Sequence, residues 1–329
     1  YTDITAVAST TYTYRVQALS TGGVNSAYSN EAEATTQTPP PPATPTGLTA
    51  TAKSDAQVDL SWTDTSADED GFRIQRCTGT AADCRNADYT QIDLVGQDVS
   101  AYTDLTTIEN TTYSYRIRAY NTGGDSGFSN EAEDTTPLAA PTSLTVTGTT
   151  TTTVSLGWAD NSGAEDNYQV ERCTGTSAAC EDAGFTDVLT SSLAAGTTTY
   201  TDATAAEATT YTYRVQALST GGVNSAYSNE AEATTGTTPP AAPEELGLTV
   251  AGPDQIDLAW TDVATTETGY RVERCLGASC TGFAELTTLG ANANSHSDDT
   301  VTEGNTYRYR VFATNAGGDS GSSNEAEDT

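Results

Sequence analysis

Positive charge is nearly missing from these 329 residues. Lys53 is the one lysine, His296 the one histidine, and methionine is absent. Thirteen basic side chains face 45 acidic ones, a formal net charge of −32. A surface this acidic repels nucleic acid and anionic lipid, which excludes those partners. One histidine cannot build a His-rich metal centre, and no Cys-x-x-Cys-His occurs, which excludes a multihaem cytochrome. Apolar runs are only a few residues long, too short for a membrane-spanning helix. Neither a signal peptide nor an initiator methionine is visible, so the chain reads as a mature or internal piece of something longer.

What is abundant is threonine, about a fifth of the chain, and β-branched residues favour strands. A hydrophobic fraction of 36% is low for one large core and suits several small β domains rich in turns. Punctuation by 28 glycines and 11 prolines points the same way, to an all-β chain.

The chain repeats itself. VDLSWTD at 58–64, VSLGWAD at 154–160 and IDLAWTD at 256–262 superpose, as do GFRIQRC at 71–77, NYQVERC at 167–173 and GYRVERC at 269–275. TYSYRIRAYNTGGDSG at 112–127, TYTYRVQALSTGGVNS at 210–225 and TYRYRVFATNAGGDSG at 306–321 follow, and each unit closes on SNEAE. The period, about 95–100 residues, is that of one small sandwich. Apolar residues alternate within these stretches, as half-buried strands require. Val58, Leu60 and Trp62 share one face, Phe72 and Ile74 another, and Tyr113, Tyr115, Ile117 and Ala119 a third. TQTPPPPATP, TTPLAAP and TGTTPPAAP separate the units, and such proline-rich spacers are semi-rigid, so the units should string out.

These units resemble fibronectin type III domains of the bacterial secreted or cell-surface kind. The resemblance rests on the strand-B tryptophan in L-x-W-x-D (58–64), the strand-C pattern G-[FY]-x-[IV]-x-R (71–76), the strand-F pattern T-Y-x-Y-R-[IV] (112–117), and the terminal S-N-E-A. It implies tandem seven-stranded immunoglobulin-like sandwiches arranged as beads on a string, with units at 43–136, 140–235 and 241–329. It places Trp62, Trp158 and Trp260 in the cores and Tyr113, Tyr211 and Tyr307 at tyrosine corners. The family serves as spacer, adhesion module or polymer unit and carries no intrinsic activity, so fold is better determined than function. The Arg-Gly-Asp triplet used by animal members for cell binding is absent.

Residues 1–36 nearly copy 200–235 and hold only the end of a unit, from the E-strand region onward. Two isolated strands are marginal alone. Either the rest of that unit lies upstream in a longer chain or another molecule completes it, and the first is preferred because the third unit ends with no spare strands. The turn variants GGVNS and GGDSG alternate along the chain, which suggests a two-domain superperiod inside a longer array.

Six cysteines fall as one local pair per unit: Cys77 with Cys84, Cys173 with Cys180, Cys275 with Cys280. No unit offers the four ligands of a zinc site, and a redox pair is more often Cys-x-x-Cys. Disulfides are expected, and with them an oxidising, extracellular or cell-surface setting. His296 stands where the other copies have Tyr1, Tyr102 and Tyr200, which makes it structural. The B–C loops are acidic, and Asp64, Asp68 and Asp70, beside Glu69, are calcium candidates. A turn reading is preferred, because aspartate in turns bonds its own backbone and the third unit keeps only Asp262 and Glu267.

Eleven of the twelve arginines lie on strands C and F, Arg85 excepted. Cross-strand pairs Arg310–Glu273 and Arg214–Glu171 are expected to neutralise them, leaving no polyanion-binding patch. Thr36, Thr38 and Thr44 are candidate O-glycosylation sites beside a plain solvated-linker reading. Asn110-Thr111-Thr112 is a single sequon on a turn. No phosphate loop, nucleophile elbow or recurring acid–base pair occurs, and no cofactor other than calcium is expected.

The resulting expectation is a non-enzymatic extracellular structural protein of bacterial type, part of a longer fibre, stalk or filament that self-associates or continues as the same array. An adhesin with a glycan or protein ligand is the first alternative, with Phe185 and Phe283 the residues to inspect. Spacer domains of a secreted polysaccharide-degrading enzyme are the second.

Overall fold

Along Gln57–Thr63, Val58, Leu60 and Trp62 are buried while Ser61 and Thr63 are exposed. The alternation seen in the sequence is therefore the inside and outside of a sheet. The computed structural model describes residues 1–188 and 192–329. In the first sandwich, strands A (Thr46–Ser54), B (Gln57–Thr63) and E (Ala101–Asp104) form one antiparallel sheet. The facing sheet runs G (Gly124–Asp125 and Ala132–Thr135), F (Thr112–Asn121), C (Gly71–Thr78) and C′ (Thr90–Gly96). Phe72 lies opposite Ala119 and Ile74 opposite Ile117, so the apolar faces of C and F share one register.

The same plan recurs with Val154–Ala159, Asn167–Thr174 and Thr210–Leu218 as B, C and F of the second sandwich. In the third they are Gln255–Thr261, Gly269–Leu276 and Tyr307–Asn315. Each sandwich has its own core cluster. Trp62 packs against Phe72, Trp158 against Tyr168 and Trp260 against Tyr270, with ring centroids 5.6, 5.8 and 5.7 Å apart.

The terminal S-N-E-A acquires a function here. Asn130 accepts from the Leu48 amide and donates to the Leu48 carbonyl, tying G to A. Asn229 makes the same two bonds with Leu144, and Asn324 with Leu246.

All six cysteines pair as read: Cys77–Cys84, Cys173–Cys180 and Cys275–Cys280. Replacing Cys173 and Cys180 together with serine is expected to cost the second sandwich roughly 2–2.5 kcal/mol by the chain-entropy relation. Urea unfolding with and without reductant checks it, and the variant should no longer respond to reductant in that sandwich. Between these two cysteines lies the one departure from all-β structure among the described residues, a helix at Ser177–Ala183. The Ala179 and Cys180 amides donate to the Thr176 carbonyl, and the run Ser-Ala-Ala-Cys-Glu-Asp-Ala has no β-branched residue, glycine or proline to stop it.

Residues 1–36 fold as the last strands of a unit, Thr11–Tyr14 pairing with Ala32–Thr35. They differ from 200–235 at only Ile4, Val7, Ala8 and Ser9. Yet Val16 is 73% exposed where its counterpart Val215 is 0% exposed, because no A–B–E sheet lies over it.

Candidate functional site

The C strand carries an arginine toward the end of strand E in every complete sandwich. Arg76 reaches Asp104 at 2.7 Å, Arg172 reaches Asp202 at 2.6 Å and Arg274 reaches Asp298 at 2.7 Å. The carboxylates are buried outright, whereas the arginines keep partial solvent contact. Tyr115, Tyr213 and Tyr309 donate their hydroxyls to the same oxygens at 3.0, 2.9 and 2.8 Å. The other oxygen accepts the amide and hydroxyl of Thr106, Thr204 or Thr300. Burial raises each carboxyl, but the threonine bonds and the arginine outweigh it and hold all three below the ordinary aspartate range. Burial and the neighbouring carboxylate raise the tyrosines. Locked by four donors and shut from solvent, these carboxylates serve architecture.

The sequence reading missed this cluster. Its signal is D-x-T two residues after the aromatic of strand E, at 104–106, 202–204, 298–300 and also 3–5. In the partial unit, Asp3 keeps the bonds from Thr5 and Tyr14 without an arginine.

The tyrosine corners form as the resemblance implies. Ile108, Ala206 and Thr302 donate their amides to Tyr113, Tyr211 and Tyr307 at 3.1, 2.9 and 3.1 Å. Both expected cross-strand pairs are present, Arg214–Glu171 and Arg310–Glu273 at 2.6 Å. Glu171 and Glu273 are buried. The guanidiniums are also stacked between rings: Arg214 between Phe185 and Tyr227, Arg310 between Phe283 and Phe312, Arg116 between Tyr89 and Phe128. Phe185 and Phe283 thus stack on arginines, a contact of about 0.5–2 kcal/mol each. His296 pairs with Leu258 in strand E at the place of Tyr102 and Tyr200.

Of the acidic B–C loop, the structure brings together a different set from Asp64, Asp68 and Asp70. Asp68 accepts the Ser66 hydroxyl at 2.8 Å, and Asp70 gives its amide to the Tyr120 carbonyl. Neither joins Asp64. Glu69 does, with Asp98 from the turn between C′ and E, the three offering oxygens within 4.8 Å of one another. Burial raises the Glu69 carboxyl, but amide hydrogen bonds, including that of Asp98, leave it lowered.

The spacers are built into the sandwiches. Glu109, in the E–F loop of the first, accepts from the Ala139 amide of the spacer and from the Ser162 hydroxyl and Gly163 amide of the next B–C loop, each at 2.8 Å. Leu138 of the same spacer is buried in the second core, its amide bonded to the Val223 carbonyl. Glu207 repeats the role on Thr238. From the other side the Gly-Gly turns press on the spacer, and a Cβ at Gly123 would sit 1.9 Å from the Pro39 carbonyl oxygen. Asn110, the sequon residue, packs in the first of these junctions against Ser219 and Gly222. Thr36 spends its hydroxyl on the Val7 carbonyl, Thr38 bonds Ser9, and Thr44 packs beside Gly127 while its carbonyl accepts from Thr65.

Tandem antiparallel sandwiches, each with a buried Arg–Asp–Tyr cluster, a tyrosine corner and a local disulfide, define a modular β-sandwich array. The family model described as the fibronectin type III domain matches residues 43–135 and 139–234, more than half the chain. The chain belongs to the fibronectin type III family.

It is 27% identical over 305 residues to exoglucanase B of Cellulomonas fimi, an alignment that covers 84% of this chain and 24% of that enzyme. The chain thus spans about a quarter of the length of the curated relative it matches. Among solved structures it is similar to the FN1–FN3 domains of chicken CNTN1, at 17% identity and TM-score 0.32, covering 88% of this chain and 98% of that one. A two-domain fibronectin type III segment of chicken tenascin matches at 15% identity and TM-score 0.34, over 57% and 98%. Family and disulfides together fit a secreted, extracellular protein in a structural or spacer role.

Proposed function

We propose that the chain is a non-catalytic spacer of a bacterial secreted protein, one that fixes the distance and orientation of the modules it joins. The observation that carries this reading is the junction chemistry: Glu109 bonds the spacer after the first sandwich and Glu207 the spacer after the second. Similarity to exoglucanase B supports a place beside a polysaccharide-degrading module. A titratable clamp also gives the spacing a pH dependence. Burial raises Glu109, but its three donors hold it lowered, so the clamp is whole above about pH 4.3, the ordinary glutamate value, and weakens as pH falls through the lowered one.

Small-angle scattering tests this. Glu109→Ala with Glu207→Ala should broaden the distribution of interatomic distances while leaving the urea midpoint of each sandwich unchanged. A double variant that scatters as the native chain does would remove the basis for a fixed spacing.

A further inference from the structure

In the first sandwich, the B–C loop and the C′–E turn bring three carboxylates to one point, and one of them is deeply buried. Glu69 is 2% exposed. Its Oε1 accepts the Asp98 amide at 3.1 Å, and its Oε2 is buried with no hydrogen-bond partner. Asp64 and Asp98 join it, one oxygen from each of the three falling within 4.8 Å of the others. Among the described residues, no lysine or arginine forms an ion pair with any of them.

We propose that Asp64, Glu69 and Asp98 bind one divalent cation, with calcium the ion that fits. Calcium takes carboxylate oxygens at about 2.3–2.6 Å in flexible geometry, so oxygens on opposite sides of it stand about 4.6–5.2 Å apart. Magnesium prefers a tighter octahedron rich in water. The other two sandwiches show what distinguishes this one. Tyr168 and Tyr270 donate to Asp160 and Asp262, the counterparts of Asp64, whereas Phe72 has no hydroxyl to give. The turn residue, left-handed in all three, is Asp98 here but Gly196 and Asn292 there. Glu165 and Glu267 also leave an oxygen unpaired, but neither is as fully buried and, among the described residues, neither has a third carboxylate. One site among the described residues follows.

Its place gives it a consequence. The Thr65 hydroxyl of the same loop donates to the Thr44 carbonyl of the preceding spacer, and Asn121 bridges the Pro40 and Asp68 carbonyls. A cation there ties the loop that holds the spacer before the first sandwich.

Calorimetric titration of the chelator-treated native chain with calcium chloride in 150 mM salt tests the proposal. The expectation is one saturable site with Kd about 10⁻⁴–10⁻³ M, the range of extracellular modules. At calcium about tenfold above Kd, the folded-to-unfolded ratio of the first sandwich rises about tenfold. Asp98→Asn installs the residue that the third sandwich carries at this left-handed turn, so it keeps the fold. It should weaken binding at least tenfold, while Asp68→Asn, in the same loop but outside the group, should leave it unchanged. Unsaturable heats that are indifferent to Asp98→Asn, or three equal sites per chain, would overturn the proposal.

Discussion

Arg172→Ala should destabilise the second sandwich by about 3 kcal/mol. Removing one partner of a buried ion pair typically costs about 3–5 kcal/mol, because the other charge stays behind uncompensated. The low end applies, since Arg172 keeps partial solvent contact while Asp202 has none. Each unit has one tryptophan, so Trp158, with Trp62 and Trp260 replaced by phenylalanine, reports this sandwich alone in urea unfolding. The pH dependence follows from the lowered pKa of Asp202. Its contribution is full above the unfolded value of about 3.9 and is lost as pH falls through the lower folded value. The gap between native chain and variant should therefore be widest near neutrality and close at strongly acid pH. A gap constant from pH 7 to 2.5 would mean that Arg172 acts through packing on Tyr211, 4.6 Å from its ring centroid, and not through Asp202.

Trp260→Ala should cost the third sandwich about 3–5 kcal/mol, the usual range for deleting a buried large aromatic. Trp260 is buried among Leu246, Leu258 and Tyr270, and little in a sandwich this thin can move to fill the space. Trp260→Phe should cost less than half as much. The indole N–H is buried without a protein partner, so the smaller ring gives up volume and no hydrogen bond to protein. Thermal melts followed by circular dichroism, with the disulfides intact, check the order native, Phe, Ala.

The fold was legible because the chain writes it three times. A tryptophan in L-x-W-x-D and alternating tyrosines in T-Y-x-Y-R mark inward faces in every copy, and alternation of period two has one meaning in a half-buried strand. The local cysteine pairs were legible for the same reason. The charged centre of each sandwich was not. Asp104, Asp202 and Asp298 look like three more acids in a chain of net charge −32, and nothing local shows that a strand end turns them inward under an arginine more than 20 residues away. Glu69 illustrates the same limit at finer grain. Three successive acids, Asp68, Glu69 and Asp70, occupy one turn, and which of them points inward depends on backbone angles and on Asp98, which the chain brings in from 29 residues beyond Glu69.

The pairing of Asn130 with Leu48 has a mechanical meaning. Tension applied to the two ends of such a chain enters a sandwich through strand A and leaves it through strand G. The amide of Asn130 bridges those two strands with two bonds, as do Asn229 and Asn324 in their own sandwiches. Force therefore crosses this side chain on its way from one spacer to the next, and the asparagine of S-N-E-A is the shackle of each link.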